Sequence, residues 1–307
     1  MRNRSNQPST TSDQPLLFLY PSSVPETPHK PALYLVATPI GNLEDITLRA
    51  LRTLKEVDLV ACEDTRQTMK LLTHYGIEKK TISYHEHNEL TRSAELIMHL
   101  ERGDSIALVT DAGMPGISDP GYRLVSLAIR HHVPVIPIPG PSAFVAALVA
   151  SGLPTDSFRF NGFVPEKSGK RVKLFESIKD SPRTQIFYEA PHRLLETLQD
   201  IVDVFGPARH VVIAREVTKI YEEFVRGHAQ DVLLTMQARD EIRGEITLLI
   251  GKEEDHGAPV LEQKNVRQRV RGLMQAEGID EKEAMKRVAK EMGVSKSEVY
   301  RELQKGK

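Results

Sequence analysis

The run Thr110-Asp111-Ala112-Gly113-Met114-Pro115-Gly116-Ile117-Ser118-Asp119-Pro120-Gly121 follows directly on the apolar stretch Ser105-Ile106-Ala107-Leu108-Val109. A buried strand therefore delivers a carboxylate and then a loop with three glycines and two prolines. Glycine lacks a Cβ, so it lets bare backbone approach a ligand and accepts φ > 0. Proline fixes φ and keeps such a loop rigid. Open α/β sheets place their sites beyond the carboxyl ends of strands. One loop of this kind reads equally well as a tight structural turn. A second, Pro139-Gly140-Pro141-Ser142-Ala143 after Val133-Pro134-Val135-Ile136-Pro137-Ile138, turns the reading towards a small-molecule site.

From Leu33 onward, short apolar or β-branched runs alternate with amphipathic segments. The pattern predicts strands at 33–38, 57–62, 81–84, 105–110 and 133–138, and helices at 46–56, 65–75, 89–102, 119–131 and 141–151. That alternation implies a largely parallel sheet with crossover helices. A composition shift at Ser151-Gly152-Leu153-Pro154 marks a boundary. Beyond it the pattern predicts helices at 168–179, 191–205 and 229–238 and strands at 183–188, 208–216, 220–227 and 244–251. Strands adjacent in sequence imply a mixed sheet, hence a second α/β domain of different topology. The expected organisation is a disordered tail (1–30), an α/β domain (31–150), a second α/β domain (151–252) and a helical basic C-terminal segment (253–307). A cleft between two domains is a favoured ligand site.

Composition narrows the function classes. A chain of 307 residues with 40% hydrophobic content can bury two cores. Its net charge of −1 gives no whole-protein field towards nucleic acid or membrane. Residues 260–307, however, carry 12 Lys/Arg against 8 Asp/Glu. Two short helices at 281–291 and 296–304, joined by Gly293-Val294-Ser295, have the spacing of a helix-turn-helix or of a plain helical hairpin. The single cysteine, Cys62, excludes an intrachain disulfide framework and a multi-cysteine zinc site. The apolar run Leu16-Leu17-Phe18-Leu19-Tyr20 is too short for a signal peptide core, and no stretch is long enough to span a bilayer. A cytoplasmic protein is expected.

Several strand ends carry chemical groups. Ala37-Thr38-Pro39-Ile40-Gly41 leads to Asp45, a good N-cap for the next helix, and the turn can also abut a ligand. Cys62-Glu63-Asp64-Thr65-Arg66 sets two carboxylates and an arginine at a strand end, although neighbours on an extended chain face opposite ways. Tyr84-His85-Glu86-His87 lacks the third ligand a zinc site needs. Tyr188-Glu189-Ala190-Pro191-His192-Arg193 gathers acid, base and cation at a strand-to-helix turn. Arg215-Glu216-Val217-Thr218-Lys219 adds further charge at another strand end.

In their order, Thr38-Pro39-Ile40-Gly41-Asn42-Leu43, Cys62-Glu63-Asp64-Thr65-Arg66, the Asp111-to-Gly121 loop, Pro139-Gly140-Pro141-Ser142-Ala143 and Tyr188-to-Arg193 resemble the tetrapyrrole-methylase-like superfamily of S-adenosylmethionine enzymes. Within it they look like the branch that methylates a ribose 2′-hydroxyl of a decoding-centre cytidine in 16S ribosomal RNA. The first loop keeps only Gly41, where corrin and porphyrin methylases are richer in glycine. The resemblance implies a homodimer of two-domain α/β chains, with S-adenosyl-L-methionine in the interdomain cleft and the small ribosomal subunit or its RNA as partner. It places the cofactor on Pro39, Ile40, Gly41, Asp111, Ala112, Gly113, Met114, Ile117, Ser142, Ala143, Tyr188, Ala190, Gly244 and Ile246. Glu63, Asp64, His85, Glu189 and His192 are the candidates for a general base, and Arg66, Arg193 and Lys219 for RNA phosphate contacts. Two competing readings keep part of this. A methylase of a small tetrapyrrole would not need the basic C-terminal segment, and a non-catalytic nucleic-acid-binding regulator would make that segment its binding element.

Overall fold

Two five-stranded sheets stand behind the site. The structure, a computed structural model, describes residues 30–252, 278–292 and a few positions around the latter. In the first half, β1 (Leu33–Val36), β2 (Leu59–Cys62), β3 (Thr81–Ser83), β4 (Ile106–Leu108) and β5 (Val135–Ile138) form a sheet of order β3-β2-β4-β1-β5 in which every pairing is parallel. Both faces are covered, as a parallel sheet requires. Val60, Cys62 and Ala107 face α1 (Leu48–Glu56) and α2 (Thr65–His74), packing with Ala50, Leu54 and Leu72. Leu59, Ala61, Ile106 and Leu108 face the other way, onto Leu96 and Ile97 of α3 (Glu89–Glu101) and Leu124 of α4 (Tyr122–Arg130). The period-2 alternation of strand side chains thus feeds two cores.

The second half has strands β6 (Phe158–Phe163), β7 (Thr184–Glu189), β8 (His210–Arg215), β9 (Glu223–His228) and β10 (Ile246–Ile250), in order β6-β7-β10-β8-β9. Only β6–β7 is parallel. One face packs on α6 (Ser168–Ile178), α7 (Leu194–Phe205) and α8 (Ala229–Gln237), through Phe175, Leu198, Ile201 and Val232. The other face is covered by Ala147 and Leu148 of α5 (Ala143–Ser151). The sequence reading placed this helix in the first domain. Its apolar residues circle the whole helix, and it lies against the second sheet, with Gly152 closing it in the left-handed conformation.

Other boundaries differ for identifiable reasons. Thr47, not Asp45, caps α1 by accepting the Ala50 N–H at 3.1 Å; Asp45 ends a short 3-10 turn, Leu43–Asp45. The helix expected from residue 119 starts at Tyr122, which leaves Ser118–Gly121 as loop. Strand β6 was not anticipated, because Asn161-Gly162 interrupts its alternation and its register on β7 shifts between Phe160 and Phe163. In the C-terminal segment, α9 (Glu281–Met292) matches the first expected helix, and its Ala284, Val288 and Ala289 cluster with Val270 and Val299. The turn at 293–295 and much of 296–304 lie outside the described residues, as does the expected tail before residue 30.

Candidate active site

The loops leaving β1 and β4 emerge side by side, because those strands are neighbours in the sheet. Thr38 and Gly113 exchange backbone hydrogen bonds of 2.9 and 3.1 Å, and the Thr38 hydroxyl donates to the Thr110 carbonyl at 3.0 Å. Gly113 sits at φ +85°, a conformation that glycine adopts without a Cβ penalty. From the second half, the Lys219 side chain lies across Gly41 so closely that a Cβ there would collide with it. Lys219 is itself held by Glu216 at 2.8 Å and Glu245 at 3.4 Å.

Between these loops and the carboxyl end of β7 lies a cavity of about 370 Å³. Ten of the residues expected to hold a cofactor wall it: Ile40, Ala112, Gly113, Ile117, Ser142 and Ala143 from the first half, and Tyr188, Ala190, Gly244 and Ile246 from the second. Pro39, Gly41 and Asp111 line a second cavity, of about 590 Å³, that shares Ile40, Ala112 and Glu245 with the first. Met114 lines neither. The size lies in the ordinary range for small ligands. Apolar side chains such as Ile40, Val217 and Ile246 suit a planar base, and the Asp119 carboxylate at the first-half wall suits a cation. The residues present therefore fit S-adenosylmethionine, an adenosine joined to a positively charged sulfonium.

Backbone strain gathers at this wall. Ser118 (φ +60°) lines the cavity, and Glu216 (φ +53°) and Thr218 (φ +71°) flank Val217. For a β-branched threonine such a φ is a clear outlier, and strained positions cluster at ligand sites.

The expected bases are placed very differently. The Glu63 carboxylate receives the Thr110 hydroxyl at 3.0 Å and lies near Asp119. Asp64 caps α2 through the Arg66 N–H and pairs with the Arg66 guanidinium at 2.8 Å, which holds its carboxyl down at about 2. His85 is tied to Asn88 in the loop before α3, off the cavity wall, and His192 is exposed on the turn Pro191–Arg193.

Glu189 and Arg193, expected as base and phosphate contact, are instead each other's partners at 2.9 Å. The fully buried Glu189 carboxylate also accepts the Thr197 hydroxyl at 2.5 Å and the Ala190 N–H at 2.7 Å. These three contacts fix it in place, so it shapes the Ala190 turn. Lys219, another expected phosphate contact, is bound into the wall by its two carboxylates. Arg66, by contrast, has a side chain 86% exposed.

One residue that the sequence reading passed over is Asp119. It lines the cavity three residues ahead of α4, so no helix end uses its carboxylate. Burial, then the facing Glu63 charge, pushes its carboxyl up to about 6, against a smaller downward pull from the Thr110 hydroxyl. Asp111 is also raised, by burial first and then by Asp64. The signal was the Ser-Asp-Pro run inside the first ligand loop, taken as a helix start.

The family model described as Tetrapyrrole (Corrin/Porphyrin) Methylases matches residues 32–233. A protein of Halalkalibacterium halodurans named Ribosomal RNA small subunit methyltransferase I is 50% identical over 277 residues, 88% of this chain and 94% of the relative. One of Escherichia coli O157:H7 with the same name is 46% identical, covering 88% and 93%. Among solved structures, diphthine synthase superposes with a TM-score of 0.56 at 14% identity, covering 71% of this chain and 89% of that one. The native form of uroporphyrin III C-methyl transferase from Thermus thermophilus gives 0.50 at 21% identity, covering 71% and 96%. These two likenesses concern the fold.

Proposed function

The chain belongs to the tetrapyrrole (corrin/porphyrin) methylase family, and from that premise we propose that it transfers the methyl group of S-adenosylmethionine to a ribose 2′-hydroxyl of a decoding-centre cytidine in 16S ribosomal RNA. The observation that carries this reading is the cavity between the two sheets. Its walls come from the Thr38, Asp111, Pro139 and Tyr188 motifs together, in a chain similar over most of its length to small-subunit ribosomal RNA methyltransferases.

The bound donor supplies an activated methyl on a cationic sulfur. What remains for the protein is alignment, which is worth about 7–11 kcal/mol in favourable cases, and help in removing a proton from a weak nucleophile, worth roughly 10²–10⁴-fold. The strand-end loops fixed by the Thr38–Gly113 exchange supply the first. Arg66 and the basic C-terminal segment supply a local cationic surface for RNA. The chain works in the cytoplasm, where its substrate is assembled; among the described residues no helix is long and apolar enough to cross a membrane. It works as a homodimer, a reading supported by the exposed Val149, Ile220 and Tyr221.

The test is transfer of labelled methyl to small ribosomal subunits lacking the modification, beside naked 16S RNA and a porphyrinogen. Label in the RNA supports the proposal. Label in the porphyrinogen alone selects the tetrapyrrole reading, and failure to bind the donor removes the enzymatic one.

A further inference from the structure

In an in-line displacement the incoming oxygen approaches the methyl carbon from the side opposite sulfur. The acceptor therefore needs a space that opens onto the cofactor cavity, with the reacting atoms brought to about 3–3.5 Å. The cavity of about 590 Å³ has that position, since it shares Ile40, Ala112 and Glu245 with the cofactor cavity. Its other walls include Leu43, in the turn after β1, and Leu71 and His74 of α2. The Tyr75 hydroxyl donates to the Leu43 carbonyl at 2.5 Å and ties the end of α2 to that turn. The Thr38–Gly113 exchange ties the strand-end loop of β1 to that of β4. The walls of this cavity are thus fixed to one another before any RNA arrives.

Its charge suits a nucleotide. Arg66, Lys70 and His74 follow one another four residues apart on α2, so they share one exposed face at a rise of about 6 Å per step. Arg66 pairs with Asp64. Lys70 bonds to the neutral Gln67 amide at 3.2 Å, and His74 meets the Tyr75 ring edge-on with centroids 4.7 Å apart. Among the described residues neither Lys70 nor His74 has a carboxylate partner, and both line the cavity. Such donors at a cavity mouth fit phosphate oxygens, which position an RNA strand. Ile40, Leu43 and Leu71 offer an apolar surface to the sugar and base. A third cavity, of about 510 Å³, adjoins the cofactor cavity at Ser118 and Asp119. It sets Glu86, Glu89 and Asp119 against Arg123 and Arg130, a negative balance that repels phosphate.

Resting on the functional reading above, we propose that the cavity between the Ile40–Leu43 turn and α2 is the acceptor pocket. The target nucleotide leaves its stack to enter it, and Lys70 and His74 hold the neighbouring phosphates. The strand then continues along α2 towards Arg66. Single-stranded, unstacked nucleotides are what proteins read most readily in folded RNA.

The experiment measures kcat and KM for methyl transfer to small subunits, with donor affinity read separately by calorimetry. Lys70→Ala and His74→Ala should each raise KM for the subunit about 3- to 10-fold. Both should keep kcat and donor affinity, because neither side chain lines the cofactor cavity. Lys70→Arg should restore KM, and Lys70→Ala should lower the salt slope of RNA affinity by about one. Lys80→Ala, an exposed lysine at the amino end of β3, should leave KM unchanged. Small subunits rebuilt with 4-thiouridine at the acceptor position should, on irradiation with the chain and S-adenosylhomocysteine, cross-link to α2 or to the Leu43 turn. An unchanged KM in both alanine variants overturns the proposal, as does an equal rise in Lys80→Ala, a loss of donor affinity, or a cross-link confined to another segment such as Tyr122–Arg130. No transfer to ribose by the wild type overturns the functional reading instead, and the proposal falls with it.

Discussion

Thr38 and Gly113 exchange both of their backbone hydrogen bonds, although they lie 75 residues apart on two different strand-end loops. This exchange makes the first-half wall of the cavity a single unit, and it depends on Gly113 holding φ +85°. Gly113→Ala puts a methyl 3.5 Å from Ile40, ordinary contact distance, so its cost is backbone strain rather than a clash. The expected loss of stability is about 1–2 kcal/mol, with weaker donor binding alongside. Urea unfolding and calorimetry check both parts.

Glu189 and Arg193 form a buried pair, and removing one partner leaves the other uncompensated. Arg193→Ala should cost about 3–5 kcal/mol of stability. It should leave the slope of RNA affinity against salt unchanged in whatever protein remains folded. Arg66→Ala should do the reverse, sparing stability and lowering that slope by about one. Salt titrations of RNA binding separate the two roles.

Asp119 is a stability liability that follows from its site. Its folded pKa, about 6, lies above the ordinary 3.8, so the fold penalises its charge. The penalty is absent below the ordinary value, grows as pH rises between the two, and is complete above about 6. Asp119→Asn should therefore be more stable than wild type at pH 7.5, by about 1–2 kcal/mol after solvent screening. The gap should close below about pH 4. Thermal unfolding of the unliganded chain across that range reads it without any turnover.

Glu223 shows the opposite sign. Arg239 and Arg215 hold its carboxyl down at about 2, below the ordinary 4.5. Its contribution is present above the ordinary value and is lost as pH falls from there to about 2. Glu223→Gln should be less stable than wild type at neutral pH, and acid should destabilise it less steeply between about pH 4.5 and 2. Acid unfolding followed by circular dichroism checks this.

Much of the fold was legible because the buried strands are short apolar runs at even spacing. Leu59–Cys62 and Ile106–Leu108 have no competing pattern. Phe158–Phe163 was not legible, since Asn161-Gly162 hides its alternation and only its pairing with β7 reveals it. The assignment of α5 failed for another reason: a helix apolar on every side does not say which sheet it will cover. At the site, the first-half wall of the cavity lies on the glycine- and proline-rich loops, while the second-half residues came from the resemblance. The side-chain roles did not, because partner choice is three-dimensional. Glu189 looked free until Thr197 and Arg193 were seen around it. Asp119 stood at the start of the helix expected over 119–131, whereas α4 starts at Tyr122.

The most direct test of the central claim is the position of the transferred methyl. Small subunits labelled by this chain should be stripped of protein and their RNA hydrolysed in alkali, which spares only the linkage next to a methylated 2′-oxygen. The account predicts label in a single alkali-resistant dinucleotide whose first residue is cytidine. Label released in a mononucleotide, and so carried on a base, would contradict it.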